Sequence, residues 1–204
     1  MENLKIKHIL LIIILTFSLS ASVFLGAYEG ETEMKDYLLL DDLKEDRSTL
    51  DTEWEGFTDQ VMGGVSEMTI SRVKKADGNY IKMRGRVSLE NRGGFIQIRL
   101  KLTKSFKPFD GSSYRGIRLL ARGVGSGYYI FLRTTATIFP WKYYAAPVPV
   151  SDEWQIIDIP WASFEPGDYG SLRKFRPDKL KSIALVAYGK EFNADIELKE
   201  IGLY

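Results

Sequence analysis

Ile96-Gln97-Ile98-Arg99-Leu100-Lys101-Leu102 places an apolar residue at every second position and a polar one between. Such alternation marks a strand with one buried and one wet face, because successive side chains point to opposite sides of a sheet. The same period runs through Ile81, Met83 and Val87 against Lys82, Arg84 and Arg86. It recurs where Ile117 and Leu119 alternate with Gly116 and Arg118, and where Ile196 and Leu198 alternate with Asp195, Glu197 and Lys199. Further strands are predicted over 66–73, 128–135, 142–150, 154–159 and 182–188. Turn residues separate them at Asp77-Gly78-Asn79, Asp110-Gly111, Gly123 to Gly127 and Pro166-Gly167. About ten short strands with few helical stretches predict an all-β sandwich, and one domain is the simple reading.

Upstream of that array stands Trp54-Glu55-Gly56-Phe57-Thr58-Asp59-Gln60-Val61-Met62-Gly63-Gly64-Val65-Ser66, echoed by Gly93-Gly94-Phe95. Adjacent glycines among large residues need a physical reason. Only glycine takes positive φ without steric cost, so Gly63-Gly64 predicts a tight turn, with positive φ expected at Gly64. Asp59 is expected to fix the turn by accepting hydrogen bonds from amides two or three residues on. Trp54 and Phe57 supply apolar anchors. A plain structural turn explains the stretch as well as a functional one does.

The run Trp54, Phe57, Asp59, Val61-Met62-Gly63-Gly64 and Ser66, followed by Glu90-Asn91-Arg92-Gly93-Gly94-Phe95, resembles the signature of the complex I intermediate-associated protein 30 family. Tyr114-Arg115-Gly116-Ile117, Arg122-Gly123 before Tyr128, Trp154 before Ile159-Pro160, Phe164 and Ile196-Glu197-Leu198 agree with it. The resemblance covers residues 51–204. It implies a galactose-binding-like jelly roll and, for mitochondrial members, assembly work on respiratory complex I; it implies no reaction. Ser126 stands where the family often has an acidic residue, so no ligand role carries over to that loop.

The first residues read as a targeting segment. Lys5 and Lys7 precede a nearly continuous apolar run from Ile9 to Leu19, with small residues at Ser20-Ala21-Ser22 and Leu25-Gly26-Ala27. Residues 1–27 are expected to be a signal peptide or, alternatively, an uncleaved membrane anchor. Either places the rest outside the cytoplasm, periplasmic or extracellular. The segment lacks Arg, unlike a mitochondrial presequence. The compartment therefore points away from the matrix or cytoplasm, where complex I's peripheral arm assembles. Residues 28–50 carry eight acids against three bases and read as a solvated acidic linker. Met34, Tyr37, Leu38 and Leu43 could form one side of a short helix there.

Composition excludes several chemistries. The sole histidine, His8, lies in the leader, and the chain has no cysteine. Ser-His-Asp and Cys-His nucleophiles, His or Cys zinc sites and disulfides are thereby removed beyond the leader. Charge beyond residue 27 balances, with 26 residues of each sign, which argues against nucleic acid as the main partner. Scattered carboxylates select no glycosidase pair, and no calcium loop is present. A non-enzymatic binding protein without cofactor or metal is expected.

Three groups are candidate binding residues. Gln97 and Arg99 share the wet side of one strand, as do Tyr129 and Arg133 of another, with Trp141, Tyr143 and Trp161 in or beside neighbouring elements. Aromatic faces against sugar C–H surfaces, with Arg and Gln on hydroxyls, fit a glycan. The segment 137–144, with four aromatics around Pro140, fits either a protein-binding loop or core. The resulting readings are an assembly factor with a protein partner, and a carbohydrate-binding module on an envelope or extracellular glycan.

Overall fold

The computed structural model describes residues 34–76, 78–139, 141–167 and 174–204. The expected signal peptide or anchor lies outside the described residues. The compact unit runs from Glu33 to Tyr204. Its strands are β1 (Leu38–Asp41), β2 (Trp54–Thr58), β3 (Glu67–Val73), β4 (Tyr80–Val87), β5 (Phe95–Lys101) and β6 (Gly116–Val124). Then follow β7 (Tyr128–Thr134), β8 (Tyr144–Pro147), β9 (Gln155–Pro160), β10 (Glu165–Pro166), β11 (Leu180–Tyr188) and β12 (Phe192–Leu203).

Two six-stranded antiparallel sheets result. Sheet A has the order β3-β4-β12-β6-β9, with β1 added to the C-terminal half of β12. Sheet B has the order β10-β8-β7-β11-β5-β2. The predicted alternation is realised: Ile96, Ile98 and Leu100 of β5 and Ile183 and Leu185 of β11 face Met83, Leu119, Ile196 and Leu198 of sheet A in one core. A register shift between Leu198 and Glu200 resets the period in β12, so that Ile201 and Leu203 are also buried.

Residues 28–50 differ from the expected acidic linker in their described part. Leu38–Asp41 is a strand rather than part of a helix, and it pairs antiparallel with residues 201–203. Leu40 and Leu43 are buried in the main core. The buried Asp41 carboxylate accepts from the Trp54 indole at 2.9 Å and from the Leu43 amide at 2.8 Å. Arg72 donates to the Glu45 and Asp46 carbonyls, and Asn79 to that of Leu43. Of the described acids, Asp36, Glu45 and Asp46 are exposed, on a segment fastened to Trp54 of β2, Arg72 of β3 and Asn79 just before β4.

Leu40→Ala is expected to lower unfolding free energy by about 2–5 kcal/mol, the range for a truncated core leucine. Urea unfolding measures it; a change under about 0.5 kcal/mol, as at an ordinary surface site, would return the segment to the status of a spacer.

Candidate functional site

The signature stretch is built around one carboxylate. Asp59 follows β2 at the start of a single 3₁₀ turn, Asp59–Met62, and its residue is 0% exposed. One carboxylate oxygen accepts from the Ser66 amide at 2.9 Å. The other accepts from the Ser66 hydroxyl at 2.5 Å, the Gly94 amide at 2.6 Å and the Phe95 amide at 3.3 Å. The partners thus lie seven and some thirty-five residues away, not two or three as the sequence suggested. Burial raises the Asp59 pKa, but the Ser66 hydroxyl and the Gly94, Ser66 and Phe95 amides outweigh it and hold the carboxyl below its ordinary value.

This arrangement explains both glycine pairs. Gly63, with φ of 90°, caps the 3₁₀ turn in the left-handed region. Gly64 does not need positive φ; a Cβ there would overlap the Asp59 carboxyl. The second pair mirrors the first. A Cβ on Gly93 would also overlap that carboxyl, while Gly94 has φ of 134°. One glycine of each pair therefore gives the carboxylate room and the other reverses the chain. Ser66 and Phe95 belong to the same support, whereas Trp54, at the other end of β2, donates to Asp41 and Met62 is exposed. The signature is a structural hub between the start of sheet A and the edge of sheet B.

The binding candidates converge on the outer face of sheet B. Strand parity puts Gln97 and Arg99 of β5 and Tyr129 and Arg133 of β7 on that face. Val186 and Ala184 of β11 lie between: Gln97 and Tyr129 both register with Val186, and Arg99 and Phe131 both with Ala184. Phe131, Ala184 and Val186 form an apolar cluster separate from the core, packed by Tyr129, Tyr143 and Tyr188. Tyr143 stacks on Phe131 with centroids 3.8 Å apart and planes 10° apart. Tyr188 meets Phe131 edge-on at 5.4 Å and Tyr129 at 6.1 Å. An aromatic platform thus sits on the solvent side of the sheet.

Polar groups border it. Arg99 lies over the Phe57 ring at 4.2 Å and donates to Glu55 at 2.8 Å. Glu55 also accepts from Lys101 at 2.6 Å; these two cations, Arg99 first, keep its carboxyl below the usual range. Among the described residues, the Arg99 Nε is the one buried side-chain nitrogen or oxygen lacking a hydrogen-bond partner. Arg133 is turned toward a loop: it donates to the Thr137 carbonyl at 2.8 Å and the Phe139 carbonyl at 3.1 Å. Burial first, and then the Arg99 charge, lower its pKa. The loop it braces presents Trp141, stacked on Phe139 at 5.0 Å.

Trp161 is not part of this face. It opens the 3₁₀ turn after β9, donates to the Tyr114 carbonyl at 2.6 Å and packs with Phe164 and Phe175 at the margin of the core. Conversely, Phe131, Tyr188, Phe57 and Glu55 join the platform, though none was among the predicted binding residues. Cross-strand registry assembles them, and single-strand patterns do not reveal registry.

The outer face of sheet A contrasts with this. Glu197 accepts from Lys82 at 3.0 Å and from Arg122 at 2.7 Å, and Asp195 pairs with Lys82 at 2.9 Å. Arg118 grips Asp158 through two bonds of 2.6 Å. A hollow of about 180 Å³ beside Lys82, Arg122 and Asp152 is lined by this network. Its charges are largely closed on one another. Among the described residues no group of three or more His, Cys, Asp or Glu could hold a metal ion.

Two antiparallel sheets, a buried carboxylate locking two glycine pairs and an aromatic outer face define a β-sandwich domain. The sequence matches the complex I intermediate-associated protein 30 (CIA30) family over residues 42–199, and the chain belongs to that family. A comparison with curated proteins gives no match. Among solved structures, the fold is similar to the family 11 carbohydrate-binding module of the Clostridium thermocellum cellulase Lic26A-Cel5E: TM-score 0.64, 16% identity, 82% of this chain and 94% of that one. The Clostridium thermocellum family 11 module in complex with a β-1,3-1,4-mixed-linked tetrasaccharide gives TM-score 0.61 and 18% identity at the same coverage. At these identities the likeness concerns the fold.

Asp59→Ala, which strands three amides, is expected to cost about 3–5 kcal/mol of stability. Asp59→Asn isolates the charge. Because folding depresses this pKa, the carboxylate's contribution is present above the unfolded value of about 3.9 and fades as pH falls through the lower folded value. The stability gap between parent and Asp59→Asn should therefore narrow below about pH 4. Urea unfolding between neutral and acid pH checks it; a gap independent of pH would deny the carboxylate its role.

Proposed function

We propose that this protein is a non-catalytic binding domain that takes a carbohydrate chain along the outer face of sheet B, and that it works outside the cytoplasm. The observation carrying the reading is the Phe131–Tyr143 stack with Tyr129 and Tyr188, bordered by Gln97, Arg99 and Glu55. The C–H faces of pyranose rings are apolar and lie well against aromatic rings. Their hydroxyls need donors and acceptors in one plane, which a guanidinium, an amide and a carboxylate provide. The unpartnered Arg99 Nε is a donor that a hydroxyl would satisfy after a small side-chain movement. The mixed-linked tetrasaccharide of the structural neighbour makes such glucans a rational first probe. The predicted leader fits an exported location.

Family membership supports a second reading, in which the same domain assists assembly of a membrane complex by holding a protein. The two readings separate in one experiment. Titration calorimetry against a panel of soluble polysaccharides, mixed-linked β-glucan included, should give saturable binding. Tyr143→Ala and Arg99→Ala should each weaken it by about tenfold, the equivalent of one lost stacking or charged hydrogen-bond contact. Trp161→Ala should leave affinity within about twofold, since Trp161 is on another surface. No binding across the panel, together with a stoichiometric protein partner crosslinked in the native envelope, would favour the assembly reading instead.

A further inference from the structure

One end of the sandwich has a different character from its faces. Strands β5 and β7 both run antiparallel to β11, so their C-terminal ends, Lys101 and Thr134, lie at the same end. The stretches 102–115 and 135–143 leave from there, and 174–181 returns there. They are fastened together: Leu102 donates to the Lys181 carbonyl at 2.9 Å and Thr135 to that of Lys179 at 3.0 Å. Two loop tips hold large apolar side chains out in water, Phe106 at 103% exposure and Ile138 at 80%, with Phe139 and Trp141 about half exposed beside Ile138. Buried alternatives were open to a chain that places some thirty other apolar residues in its core, so this exposure calls for an occupant.

Charge identifies the kind of occupant. The three stretches contain eight Lys and Arg against two carboxylates, Asp110 and Asp178. Asp178 is engaged by Arg176 and Lys179, and Lys104 is paired with Asp51. Lys107, Lys174 and Lys181 of these stretches are exposed, and Lys142 lies 5.9 Å over the Phe139 ring. Apolar tips on stretches that also carry exposed lysines and a half-exposed tryptophan are complementary to a lipid surface carrying anionic headgroups. A third observation is independent of both. The chain enters the domain at this end, where the Lys35 amide donates to the Ser113 carbonyl at 2.8 Å. In sequence, the apolar run ending at Ala27 is eight residues from Lys35. Eight residues span at most about 28 Å. A domain tethered by that run would present this end to the bilayer.

We propose that this end of the domain rests on a membrane surface rich in anionic lipid, with Phe106 and Ile138 at the acyl boundary and the lysines of these stretches at the phosphates. The outer face of sheet B then stands to the side, open to its own ligand. The inference is separate from the glycan reading, because its residues lie in the loops and not on the platform.

The absence of native cysteine makes the test direct. Full-length Phe106→Cys, Ile138→Cys and, at the opposite end of β6, Val124→Cys are labelled with an environment-sensitive fluorophore. Each is reconstituted in phosphatidylcholine vesicles with or without phosphatidylglycerol. In mixed vesicles, probes at 106 and 138 should shift to the blue and be quenched by acyl-chain spin labels several-fold more than the probe at 124. Paired Lys107→Glu and Lys181→Glu substitutions, or raised salt, should reduce that quenching several-fold. Equal quenching at all three positions would overturn the proposal. So would a blue shift without lipid quenching, which signals contact with a second copy or another protein. Quenching indifferent to phosphatidylglycerol and to the lysine substitutions would overturn it as well.

Discussion

A single buried carboxylate sets the geometry on which both sheets depend. Asp59 sits where β2 of sheet B hands over to β3 of sheet A, and it binds Ser66 at the far side of the turn and Gly94-Phe95 at the entry to β5. Ser66 in turn receives the Ser88 amide at 2.9 Å, at the exit of β4. Four chain segments are therefore tied together by Asp59 and Ser66. A buried charge survives folding only when it is saturated with hydrogen bonds, and four donors achieve that here. The same carboxyl leaves no space for side chains at positions 64 and 93. Each choice in the signature is answerable to its neighbours, which makes the motif a structural requirement before it is anything else.

With the frame fixed, the two outer faces diverge. Sheet A spends its polar side chains on one another: Glu197 is shared by Lys82 and Arg122, and Arg118 is bound to Asp158. Sheet B keeps a small second apolar cluster under aromatic rings, with an arginine that is not fully paired. Closed charge networks favour a surface that stays solvated. Aromatic rings beside one unpartnered guanidinium nitrogen give the other face a mixed apolar and polar character. The candidate site is thus a property of one face.

Strand content was legible because alternation is local. Residues 96–102 show their two faces without reference to any other strand, and the sheets keep that parity. What was hidden depends on distant partners. Leu38–Asp41 looked like a spacer because acids surround it, while its reason for being a strand is residues 201–203. Asp59 looked like a local turn former, yet its decisive acceptor contacts reach Gly94 and Phe95; the second glycine pair was the available clue. Parity also brought Gln97, Arg99, Tyr129 and Arg133 to one face. It could not say that Arg133 would turn to the loop carbonyls, nor that Trp161, on a 3₁₀ turn after sheet A's edge strand, would belong elsewhere. Tyr188 and Phe131 meet only through the registry of β11 with β7.

Strand β12 has a place in sheet A that bears on how the chain acquires its shape. It pairs with β4 and β1 on one side and with β6 on the other, and it is the last of the twelve strands in order of synthesis. Hairpin partners such as β3 and β4 can meet while the nascent chain lengthens, but the two halves of sheet A have no common seam until residues 192–203 emerge. Closure is then long-range, which slows acquisition of the native state. A polypeptide wired in this order stays threadable until that strand arrives.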